Sequence, residues 1–64
     1  MLTSEQKNQL VDNQVKEYEV KIFQLEMNRA ALVANDDHDG AQSIDKRIGA
    51  LRKAIEAVSG MKEG

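Results

Sequence analysis

The chain has 64 residues, nine basic and eleven acidic side chains, a net charge of -2, and no Cys, Pro or Trp. Below roughly 70–80 residues one hydrophobic core seldom sustains a fold unaided; without cysteine there is neither a disulfide framework nor a thiolate zinc site, so regular packing or a partner must supply the stability. No stretch approaches the ~18 apolar residues of a membrane span, and Met1-Leu2-Thr3-Ser4-Glu5 lacks a basic segment followed by an apolar one; a cytoplasmic protein, or a soluble component of a larger assembly, is expected.

Thr3-Ser4-Glu5-Gln6 has the spacing of a capping box and predicts the start of helix 1, which runs over about 3–35. The polar cluster Asn35-Asp36-Asp37-His38-Asp39-Gly40 is the one strong break and predicts a turn at about 35–38. Helix 2 follows over about 37–59. Its cap is Asp36 or Asp37, with Asp39 a rival, since each carboxylate can accept first-turn amides at the positive end of the helix dipole. Ser59-Gly60 is a stop signal, and residues 60–64 are expected to fray. Segment 3–14, rich in Gln, Asn and Lys, outreaches helix 2 and is expected to fray as well unless it meets something outside the hairpin.

Apolar spacing carries most of the information. Val11, Val15, Tyr18, Ile22, Leu25 and Leu32 follow one another by 3, 4 or 7 residues, with Arg29 interrupting; Ala41, Ile44, Ile48, Leu51, Ile55 and Val58 alternate by 3 and 4. Both series have the a and d spacing of a coiled-coil heptad. Folding the chain back at the Asp36–Asp37 peptide places Leu32 opposite Ala41, Leu25 opposite Ile48, Ile22 opposite Leu51, Tyr18 opposite Ile55 and Val15 opposite Val58. The predicted fold is therefore all-α: an antiparallel two-helix coiled-coil hairpin forming a single unit over 1–64, and assembling into a four-helix bundle or onto a partner. In this register Glu19 and Arg52 flank the seam as an opposite-sign pair and Glu26 and Asp45 as a like-sign one, while Arg29 either reaches toward Asp36 or Asp45 or marks a polar contact across an oligomer.

Helix 1 has a second apolar stripe of Val20, Phe23, Met27, Ala30 and Ala34, with Ala31 beside it, about 150° from the first. Helix 2 offers the small residues Ala50, Ala54 and Ala57, beside which another helix could come close. These eight stripe residues are the predicted partner-binding set, because a two-helix hairpin cannot cover both faces of helix 1. The partner is a second copy or another protein.

The remaining constellations are poor in chemistry. Asn35-x-Asp37-x-Asp39-Gly40 matches the first half of a calcium-binding EF-hand loop, but the twelfth position is Lys46 where a bidentate glutamate is needed. His38 is the sole histidine, too few for a tetrahedral zinc set. Thr3, Ser4, Ser43 and Ser59 have no base and orienter around them. No catalytic residue, metal, cofactor, small-molecule substrate or membrane contact is predicted, and the chain is not expected to be an enzyme.

Lys46, Arg47, Arg52 and Lys53 are the candidate nucleic-acid contacts. Asp45 and Glu56 dilute their field, and no set of exposed aromatic side chains is available to stack bases. The architecture resembles that of the ROP-type regulators, hairpins of about this length that dimerise into a four-helix bundle and bind paired RNA loops. That resemblance covers topology and length, shares no motif, and implies a dimeric RNA-binding regulator as the alternative function. The acidic turn of Asp36, Asp37 and Asp39 is also similar in position to the tip of the hairpin that bacterial transcript-cleavage factors insert into a polymerase, although those factors carry a longer hairpin and a docking domain. The leading expectation is a small non-enzymatic protein–protein interaction or assembly module. A chain of this kind suits a phage or mobile-element accessory protein, such as a virion component or an inhibitor of a host enzyme.

Overall fold

Two helices account for nearly all of the computed structural model, which describes residues 1–64: α1 over Ser4–Ala34 and α2 over His38–Ser59, packed against each other as an all-α hairpin without strands. The molecule is a rod of 50 × 16 × 15 Å. Neither helix is long and apolar enough to cross a membrane.

Each helix end is set by local chemistry. At the start of α1 the Thr3 hydroxyl accepts from the Gln6 amide at 3.1 Å while the Gln6 side chain accepts from the Thr3 amide at 2.9 Å, so both arms of the capping box form. At its end the Asp36 amide donates to the Val33 carbonyl at 3.0 Å and the Asp37 amide to the Leu32 carbonyl at 2.8 Å. Those two bonds are the Schellman pattern, with Asp36 at φ 59° in the left-handed position usually held by glycine. Asp37 then caps α2, its carboxylate accepting from the Gly40 amide at 2.9 Å. Of the three candidate caps the structure selects Asp37, because the bonds to α1 force Asp36 into the left-handed region and Asp39 already lies inside the first turn.

The core is thin. Five residues are buried, namely Val11, Ile22, Leu25, Ala41 and Ile48, and no side chain is completely enclosed. Ile22, Leu25 and Ile48 form one cluster against which Ile44, Leu51 and Ile55 pack, partly covered. Val15, Tyr18, Leu32 and Val58 are half-buried in the same phase. Every apolar residue of the two series thus turns inward, while their flanks stay in water.

Two expectations are overturned at the open end of the hairpin. The tail does not fray: Glu63 accepts hydrogen bonds from the Ser4 hydroxyl and, at 3.2 Å, from the Lys7 ammonium. The Asn8 side chain donates to the Glu63 carbonyl and accepts from its amide, both at 2.7 Å. Lys62 pairs with Asp12 at 2.8 Å. The N-terminal segment is consequently helical and held by the tail. The physical reason lies at Gly60, which stays right-handed at φ -66°; the chain runs on along α1 through Met61 and Lys62 without turning away. Among the flanking charges one expected contact forms and one does not. Arg29 donates to Asp45 at 2.7 Å, whereas Glu19 and Arg52 are not among the three ion pairs of the molecule.

Candidate interaction surface

Helical periodicity places Val20, Phe23 and Met27 on the side of α1 turned away from α2. They are 51, 61 and 53% exposed, and with Lys16, Glu19 and Gln24 they line one open groove to which α2 contributes nothing. Ala30, Ala31 and Ala34 continue the stripe toward the turn and are exposed. Toward the N-terminus the outer face carries a second shallow groove, where Leu2 and Leu10, each more than half exposed, lie among Gln6, Gln9 and Asn13. Leu2 and Leu10 were not singled out from the sequence, although Gln6, Gln9 and Asn13 share the heptad phase of the stripe and mark this face.

The small residues of α2 sit elsewhere. Ala50 lines a groove between the helices together with Lys21, Asn28 and Arg47, over a floor of Leu25 and Leu51. Ala54 is half-buried and Ala57 exposed. At about 100° per residue, Ala50, Ala54 and Ala57 flank the seam on the side of Lys21 and Arg47, away from Phe23. The eight predicted contact residues therefore occupy two faces.

The four cations of α2 are exposed and likewise dispersed. Arg47 borders the inter-helix groove; from the helical period, Arg52 falls on the opposite flank and Lys46 and Lys53 on the outer back of α2. They do not gather into one basic patch. No group of three or more His, Cys, Asp or Glu side chains is placed to hold a metal ion. Thr3 serves as a cap, Ser4 bonds Glu63, and His38 opens α2 in water.

Glu63 and its contacts form a polar assembly at the open end of the hairpin. The Ser4 hydroxyl first, and the Lys7 ammonium second, hold the Glu63 carboxyl below its usual pKa, against the opposing effect of desolvation. Asn8 was legible in hindsight, since it lies three residues before Val11, in phase with the seam, where a polar side chain can satisfy the backbone of a chain that has left its helix. Glu63 had no such signal. Comparison of the chain with protein-family models, with curated proteins and with solved structures finds no match.

Proposed function

We propose that this protein is an antiparallel coiled-coil hairpin that acts as a non-enzymatic protein–protein interaction module, with the outer stripe of α1 as its contact surface. The observation that carries the reading is the exposure of Phe23, the only phenylalanine, between Val20 and Met27 in a groove whose other lining side chains are Lys16, Glu19 and Gln24. An aromatic residue flanked by a flexible thioether is the kind of anchor that dominates interfaces. Packing another helix along the stripe would cover the face that α2 leaves open and add burial to a hairpin with no fully enclosed side chain. The dispersal of Lys46, Arg47, Arg52 and Lys53 gives the RNA-binding alternative no comparable support.

A photo-crosslinking amino acid placed at Phe23, and for comparison at Lys53 on the back of α2, tests the reading in the cell from which the protein comes. The expected outcome is a discrete adduct from position 23 and none from position 53. Absence of an adduct at 23, or the same adducts from both positions, overturns it.

A further inference from the structure

Any stripe of alternating 3- and 4-residue spacing matches itself when reversed; what is particular to the outer stripe is which side chains, and which charges, the reversal brings together. Lys16, Val20, Phe23, Met27, Ala30 and Ala34 follow at alternating spacings of 4 and 3 residues. Mirrored about Leu25, the series sets Phe23 opposite Met27, Val20 opposite Ala30 and Lys16 opposite Ala34. The two central layers become Phe–Met contacts, which sulfur and ring favour, and the outer layers set a larger side chain against a smaller one.

Charge agrees with the same register. The last turn of α1 contains no basic residue, so nothing on its own helix offsets the negative end of the dipole. Just beyond it Asp36 and Asp37 are exposed. Lys16, which borders the Phe23 groove, would arrive beside that end of a second α1. A two-fold axis makes the contact twice, as an isologous interface requires. The like-charge approach in this register is Glu26 with its own copy near the axis, which weakens the pairing without displacing its apolar layers.

We propose that the stripe binds a second copy of this chain, α1 against α1 in antiparallel orientation, with Phe23 of each copy packed on Met27 of the other. Because the stripe lies about 150° from the hairpin seam, the four helices form a row, α2–α1–α1–α2, and not a square bundle. The paired stretch spans roughly 28 Å of helix, short enough that the dimer should dissociate in the micromolar range. This inference rests on the reading of the stripe as an interaction surface.

The chain has no cysteine, so engineered pairs report the register without background. Equal amounts of Val20→Cys and Ala30→Cys chains, each first shown by circular dichroism to keep its helix content, are mixed and oxidised. The expected product is the mixed disulfide, in excess over both homodimers. A predominance of Val20→Cys homodimer means a parallel pairing and overturns the proposal, as does absence of any crosslink. Sedimentation of the unaltered chain from about 1 to 300 µM provides the second readout: a concentration-dependent dimer that Phe23→Asp weakens at least tenfold is expected, and a monomer throughout overturns self-pairing. If the chain is monomeric while the probe at position 23 captures one foreign protein, self-pairing alone fails; if the probe captures nothing, the interaction reading fails with it.

Discussion

Gly40 and Gly49 show how differently one residue type can be constrained nine positions apart. A Cβ on Gly40 would lie 2.5 Å from the Asp37 carboxylate, the group that caps α2, whereas a Cβ on Gly49 would meet nothing within 4 Å. Gly40→Ala must therefore displace the cap, at a cost of about 1 kcal/mol. Gly49→Ala removes a flexible residue from a helix interior and should stabilise by about 0.5–1 kcal/mol. At Gly40 the lost cap is offset by the gain from replacing a helical glycine, so urea unfolding followed by circular dichroism should raise the Gly49→Ala midpoint and leave that of Gly40→Ala close to the unaltered chain. Arg29 is resolved at the same scale. It occupies a seam position yet stays exposed, its guanidinium carried sideways to Asp45, with both side chains about half accessible. Such a pair contributes at most about 1 kcal/mol, so Arg29 is tolerated at the seam without organising it.

At the scale of elements, the open end of the hairpin depends on the tail. The Glu63 carboxylate bonds Ser4 and Lys7, and the lowering of its pKa means that the folded state binds a proton there less readily than the unfolded chain does. The stabilisation is accordingly complete above the ordinary glutamate value of 4.5 and is lost as the pH falls through the lowered one. Nuclear magnetic resonance titration should show the Ser4 and Asn8 signals shifting together in that acid window, and Glu63→Gln should abolish the step while leaving Ile22, Leu25 and Ile48 undisturbed. Local opening confined to residues 4–12 fits the few apolar contacts there, where Val11 is the one buried side chain.

For the whole molecule the thinness of the core has a measurable consequence. A rod 16 Å across with no fully enclosed side chain draws little stability from within. If association covers the Phe23 face, the folded state is favoured by mass action, and a hundredfold increase in concentration around the dissociation constant should raise the melting temperature by several degrees. Phe23→Asp should remove that dependence and leave a lower, concentration-independent transition. An unaltered chain melting at one temperature across the range would show that the hairpin stands alone.

The helical hairpin, its capping box and the inward phase of both apolar series could be read from the sequence, because helix periodicity and capping are local and repeat every few residues. The Thr3–Gln6 box forms as its spacing predicts, and Ile22, Leu25 and Ile48 cluster as their phase requires. Tertiary structure decided what depends on the path of the chain between elements. It chose Asp37 among three acidic caps, because Asp36 had to turn left-handed to finish α1. It folded Glu63 onto Ser4, Lys7 and Asn8, a contact between positions more than fifty residues apart that no local pattern encodes. It also separated Ala50 from Phe23 onto different faces, since the side of a helix that remains open is fixed only when its neighbour is in place. Shortness and lack of staples pointed to missing burial, and the second stripe already placed that deficit on the outer side of α1; the fold set Ala50 apart from it.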